Sequence, residues 1–329
     1  MTLSHRSRLE RTLSGEKPDR PPVSLWRHFP VDDQDPYMLA GSIVRFQERF
    51  DFDFVKITAA SSYPIIDYGS KDEWEGNPEG TRRITKHAVD SASGWLKIKP
   101  LHPRKGSLGE QLQCIEMIRK ALPADTPIIP TIFSPLSQAK NLVGRDKVVP
   151  QLRMYPQQVD SVLKILTENN IRFIEECIKI GIDGIFYAVQ HAQYGLLTED
   201  EFTKFAARYD KLVLEVVKPL WLNVGHIHGE NIMFTTMADY PVQVLNWHDL
   251  ETSPSLREGK KKYSGIVCGG LKQWETLAYG TPELVDQEAL EAIRQTDGTR
   301  FILGTGCVTP IIAPDANFFA ARQAVEGRK

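Results

Sequence analysis

Leu220-Trp221-Leu222-Asn223-Val224-Gly225-His226-Ile227-His228 and Val242-Gln243-Val244-Leu245-Asn246-Trp247-His248-Asp249 are built alike: a short apolar run ends on groups able to do chemistry. The apolar parts, Leu220–Val224 and Val242–Trp247, have the length and near-continuous hydrophobicity of strands buried on both faces. Six runs of the same kind lie outward from them. Pro22–Trp26, Asp53–Ile57, Pro127–Phe133 and Gly184–Ala188 precede them, and Gly265–Cys268 and Phe301–Gly304 follow. Segments of helical period fill the gaps. Phe202, Phe205, Ala206, Tyr209, Leu212, Val213 and Val216 keep one buried face, as do Val162, Leu163, Leu166, Ile174 and Ile178 within Val159–Lys179. Thr281-Pro282 and Ala313-Pro314-Asp315 open two further helices, and Leu3–Leu13 reads as another.

Eight strands alternating with helices define an α/β protein with a parallel sheet. One stretch breaks the alternation. Thr81–Lys86 and Gly94–Lys99, around Asp90-Ser91-Ala92-Ser93, predict an antiparallel hairpin inserted in a βα loop between residues 79 and 99. No linker, internal repeat or shift of composition marks a second domain. Residues 1–329 therefore read as a single (β/α)8 TIM barrel with an inserted β-hairpin. A doubly wound open sheet is the alternative, but no Gly-x-Gly-x-x-Gly follows a strand, which removes its usual dinucleotide signature.

Composition narrows the partners. The chain is 41% hydrophobic and 25% charged, with 40 basic and 42 acidic residues for a net charge of −2, so nothing global favours nucleic acid or an anionic membrane. No apolar run reaches membrane-spanning length, and Met1 to Asp19 is polar without a signal-peptide core. Four scattered cysteines (114, 177, 268 and 307) make no disulfide framework. These features predict a cytoplasmic enzyme or ligand-binding protein acting on a small molecule.

Catalytic groups of such barrels lie past the carboxyl ends of the strands. His226 and His228, two apart in extended chain, project to the same side and can reach one point. Cys307, in Thr305-Gly306-Cys307 after the last strand, adds a third borderline-soft ligand, a set suited to Zn²⁺. The alternative for the pair is a polar rim that hydrogen-bonds substrate. His248 and Asp249 follow strand six and are catalytic candidates. Arg27 and His28 after strand one, Tyr187, Gln190 and His191 around strand four, and Asn246 are candidates for binding substrate. Cys114, Cys177 and Cys268 read as core, and Lys260-Lys261-Lys262 as a solvated face.

The order of these motifs resembles the uroporphyrinogen decarboxylase superfamily, which includes corrinoid-dependent methyltransferases that methylate coenzyme M. Leu13-Ser14-Gly15-Glu16-Lys17-Pro18-Asp19-Arg20-Pro21-Pro22-Val23 is similar to its opening, Phe52-Asp53-Phe54-Val55-Lys56-Ile57 to strand two, and Gly181-Ile182-Asp183-Gly184-Ile185 to the entry to strand four. Gly225-His226-Ile227-His228-Gly229-Glu230-Asn231 resembles the methyltransferase pattern H-x-C-G-N, and Gly304-Thr305-Gly306-Cys307 its last-strand glycine-cysteine. True decarboxylases carry R-Q-A-G-R-Y after strand one, where this chain has Trp26-Arg27-His28-Phe29-Pro30. Their D-S-W-A-G is here Val189-Gln190-His191-Ala192-Gln193. A cofactor-free decarboxylation needs those fixed charges.

The resemblance therefore implies the methyltransferase branch, with His226, His228 and Cys307 as zinc ligands and His248 or Asp249 as fourth ligand or support. It also implies a corrinoid on a separate protein as methyl donor and a thiol as acceptor. The family's middle cysteine is His228 here, which leaves the ion more positive. That makes a bound thiol or water more acidic but less nucleophilic, so hydrolysis stays open. A porphyrinogen-type decarboxylase and a metal-free binding barrel are the other readings.

Overall fold

The computed structural model describes residues 2–326. Its strands are β1 (Val55–Ile57), β2 (Lys71–Glu73), β3 (Arg83–Lys86), β4 (Ile128–Phe133), β5 (Phe186–Val189), β6 (Val224–Ile227), β7 (Val244–Trp247), β8 (Ile266–Leu271) and β9 (Phe301–Thr305). β2 and β3 pair with each other. The other seven form one parallel sheet in the order β1-β4-β5-β6-β7-β8-β9. Helices between consecutive strands cover the outside, the longest being Pro156–Ile180, Gly106–Ala121, Pro36–Phe50 and Pro282–Thr296.

The ring closes through the first predicted strand. Val23 bridges Leu303 of β9 in parallel, Ser24 N donates to Leu303 O at 3.0 Å and Leu303 N to Pro22 O at 2.8 Å. On the other side Asp53 N donates to Val23 O at 2.9 Å. The segment is reduced to a single bridge because proline 22 has no N–H and the Val23 N–H goes to the Asp53 carboxylate at 2.8 Å. The eighth place in the barrel is thus held by side-chain as well as main-chain bonds.

The inserted hairpin exists, with different members from those the sequence suggested. Arg83–Lys86 pairs with Lys71–Glu73, with a bulge between Lys71 and Asp72. Gly94–Lys99 instead lies largely in a 3₁₀ turn, Ala92–Lys97, which buries Gly94 and Trp95. The loop between β2 and β3 leans on the last βα loop, where Ile311 N donates to Pro78 O at 2.7 Å.

Two hydrophobic cores result. Phe54, Ile129, Phe186, Val224, Val244, Ile266 and Ile302 fill the barrel from inside, with Leu9 of the helix His5–Leu13 among them. The second lies between sheet and helices and includes Ile57, Tyr187, Leu245 and Trp247. Strand alternation places the residue two positions beyond each inward apolar group inside again, nearer the carboxyl rim. Lys56, Thr131, Ala188, His226 and Asn246 follow in this way from Phe54, Ile129, Phe186, Val224 and Val244.

Candidate metal centre

His226 lies on β6 and His228 one residue past its end, both continuing the inward side begun by Val224. His248 follows β7 and Cys307 follows β9. Four ligand atoms, one from each of these residues, lie within 4.8 Å of one another. Cys307 Sγ is 3.8 Å from His228 Nδ1. Gly306 permits the approach: a Cβ there would stand 2.7 Å from His248 Cα.

The surroundings fix which nitrogens are free. Asn246 donates from Nδ2 to the carbonyls of Cys268 (3.0 Å) and Thr305 (2.8 Å), so its Oδ1, 2.7 Å from His226 Nδ1, is an acceptor. His226 must therefore carry its proton on Nδ1, which leaves Nε2 with a lone pair. His248 Nδ1 lies 3.1 Å from Glu251 Oε2, and its Nε2 is buried with no hydrogen-bond partner among the described residues. A carboxylate behind a histidine whose far nitrogen is orphaned is the arrangement that supports a metal ligand.

Electrostatics agree. Burial, then the repulsion of His228 and His248, holds His226 well below the usual histidine range. Burial and His248 bring His228 down to about 3. Both are neutral at pH 7, as ligands must be. Burial pushes the Cys307 thiol up to about 11, with Lys56 opposing, so the free thiol is no ready nucleophile.

The cluster opens into a cavity of about 120 Å³, walled by Trp26, Phe133 and Phe186 on its apolar side and by His28, Lys56 and Gln190 on its polar side. Glu79 and Thr81, from the hairpin loop, stand at the same cavity. Lys56 is buried, donates to Thr58 Oγ1 at 3.2 Å and stands 4.6 Å from the Phe186 ring centre. Desolvation pushes it down to about 7. Trp26 Nε1 and His28 Nδ1 are buried without partners among the described residues.

Not every predicted residue faces this space. Tyr187 lies on the outer side of β5, between inward Phe186 and Ala188, and its hydroxyl donates to Asp210 Oδ1 at 2.6 Å. Arg27 turns outward onto the rings of Phe29 and Phe46. Asn246 points inward but spends its amide on three strands. Asp249 lies outside the four-residue cluster: its Oδ1 accepts from Gly270 N at 3.1 Å, and burial pushes its carboxyl up to about 7. His28 and Gln190 do line the cavity, while His191 lines a neighbouring one. Sequence reasoning passed over Lys56, Trp26 and Glu251. A lysine inside the apolar run Phe52–Ile57 was a visible signal; Glu251 carried none beyond its spacing of three from His248.

Fold and site together define a TIM barrel with a candidate metal centre at the carboxyl rim of its strands. A family model for Uroporphyrinogen decarboxylase (URO-D) matches residues 4–328, and the chain belongs to that family. It is 24% identical over 239 residues to the methylcobamide:CoM methyltransferase MtbA of Methanosarcina acetivorans, covering 71% of this chain and 68% of the relative. The uroporphyrinogen decarboxylase of Chlorobaculum parvum is 25% identical over 224 residues, 63% of this chain and 62% of that one. A solved methyltransferase from Methanosarcina mazei superposes with a TM-score of 0.85 over 98% of both chains at 20% identity, a likeness of fold. The resemblance to the methyltransferase branch thus holds beside that to the decarboxylases.

Proposed function

We propose that the protein is a zinc-dependent methyl or small-alkyl transferase, moving the group from a corrinoid held by a separate protein to a small thiol. The observation that carries the reading is the convergence of His226, His228, His248 and Cys307 with two imidazole nitrogens left free by their hydrogen bonds. The relatives named as methylcobamide:CoM methyltransferases support the donor and acceptor classes. Three imidazoles and a thiolate suit zinc in softness and number. A cytoplasmic location belongs to the same proposal, supported by four free cysteines. Among the described residues no helix is long and apolar enough to cross a membrane.

Zinc held by this set would supply Lewis acidity, under which a small thiol would be acidic enough to react as thiolate at neutral pH. The chain's own residues do the rest. Asn246 and Glu251 hold two imidazoles in register. Trp26, Phe133 and Phe186 keep water from the acceptor, and Lys56 places positive charge where a thiolate would sit. Asp249 acts through β8, bracing the turn after β7.

The decarboxylase reading fits less well. A cavity of about 120 Å³ is small beside the roughly 300–1,000 Å³ of pockets for drug-sized ligands, and Arg27 turns away from it. The test uses purified protein loaded with zinc, methylcobalamin and a small thiol, following loss of the methylcobalt absorbance. Transfer that falls at least 100-fold in His226→Ala and Cys307→Ala is expected. Turnover of uroporphyrinogen III at a few per second or more would overturn the choice of branch.

A further inference from the structure

Beyond His228 lies a second cavity of about 110 Å³, to which His228 and Gln190 are common walls. Its other polar walls are Lys140, Arg145, His191 and Gln193, and among the described residues no carboxylate lines it. Arg145 makes no hydrogen bond or ion pair with any described residue. Lys140 has a single partner, Gln190 Oε1, at 2.8 Å. His191 is 3% exposed and its Nδ1 is buried without a partner. Burial and the charge of Arg145 both work against the Lys140 ammonium, and burial with Lys140 keeps His191 neutral. The half-buried Lys140 ammonium and the unpartnered, buried His191 imidazole are costly unless an anion completes them, and Arg145, exposed at the mouth of the cavity, is free to close on it.

We infer that this cavity is an oxyanion subsite adjoining the metal centre, which takes a sulfonate, phosphate or carboxylate group through Lys140, Arg145 and His191. Its size suits one such head group, since a water molecule's share of liquid volume is about 30 Å³. Arg145 supplies a fork of donors and Lys140 a point charge, both of which form strong charge-assisted bonds to oxyanions. Neutral His191, protonated on Nδ1, donates a third. Because His228 separates the two cavities, a ligand anchored here by its acid would reach past that imidazole to the cluster. The subsite itself does not depend on the metal; only its part in catalysis rests on the transferase reading.

The first experiment therefore uses metal-free protein. Calorimetric titration with inorganic phosphate at constant ionic strength should show saturable binding, weakened at least tenfold in R145Q and further in K140Q/R145Q. Arg145 is exposed at the start of a helix, so R145Q is expected to fold, and its melting curve checks that. No saturable binding, or equal binding by wild type and R145Q, would overturn the inference whether or not zinc is present. A second arm uses zinc-loaded enzyme with 3-mercaptopropionate and 3-mercaptopropanol as acceptors. If the acid belongs to the acceptor, R145Q raises KM for the first tenfold and leaves the second unchanged. Weakened phosphate binding with both KM values unchanged supports the subsite and assigns the oxyanion to the donor or to a free anion.

Discussion

Asn246 shows how much one amide can decide. Strand alternation predicts that it faces the barrel interior, and the sequence suggested a contact with substrate. Its place in the barrel is different. Its two donors are taken by carbonyls of β8 and β9, so its one acceptor has to receive the proton of His226. Asn246→Leu keeps the volume but removes all three bonds. Zinc affinity should fall roughly 10–100-fold, as for other partners behind metal-ligating histidines, and stability by about 1–3 kcal/mol from the carbonyls left unpaired. Asn246→Asp restores an acceptor and should recover most of the affinity. Competition with a chromophoric chelator measures both. Unchanged affinity in Asn246→Leu would mean that His226 is oriented by something else.

Elements were legible where periodicity is strict. The i, i+2 spacing of His226 and His228 and the places of His248 and Cys307 just past apolar runs are why all four cluster residues could be named from the sequence. The period fails where the backbone changes type. The helix after β5 contains a π-turn at Thr203–Ala207, and its extra residue advances the buried stripe by one position. Leu212, which the 3.6 pattern buries, is 54% exposed, while Asp210 turns inward to accept from Tyr187 (2.6 Å) and Tyr240 (2.8 Å). No local sequence feature announces that turn. The hairpin partner was missed for a related reason: Lys71–Glu73 is polar and exposed and carries no alternation. If Tyr187 belongs to this outer contact, Tyr187→Phe should cost about 1–3 kcal/mol in denaturant unfolding, the usual effect of removing a donor from a buried carboxyl. Zinc content should stay the same. A loss of metal with no loss of stability would return Tyr187 to the site.

At the scale of the whole molecule, the N-terminal helix is fastened to the barrel by charge. Asp53, fully buried, accepts from Arg8 at 2.6 Å, Arg20 at 2.7 Å and Val23 N at 2.8 Å, and its acid strength is raised far above the ordinary value by His5, Arg20 and Arg8 against the cost of burial. Bonds from Arg8 and the Leu3 N–H outweigh desolvation and bring Asp19 down to about 2. Carboxyls held below their unfolded value of about 3.9 stabilise the protein above that pH, and the effect is lost as pH falls through their folded values. His28, His191 and His228, each lowered to about 3 chiefly by burial, and His226, also held well below the usual range by burial, stabilise above about pH 6.5 and lose that contribution on the way down. Asp210 and Asp249, both raised to about 7 by burial, act oppositely and lose their contribution as pH rises from about 4 to 7. Burial raises Asp33 as well, yet four imidazoles outnumber three carboxyls, so metal-free protein should gain stability from pH 4 to 6.5 and melt at progressively higher temperature. A melting temperature flat or falling across that interval would contradict these assignments.

If His226, His228, His248 and Cys307 share one zinc ion, absorption spectroscopy at the zinc K-edge will reveal their donor set. The expected first shell is one sulfur at about 2.3 Å and three nitrogens at about 2.0–2.1 Å. The sulfur should disappear in Cys307→Ser while a nitrogen shell remains. Protein that retains no stoichiometric zinc, or zinc whose shell contains no sulfur in the wild type, would rule out a shared site at these four residues.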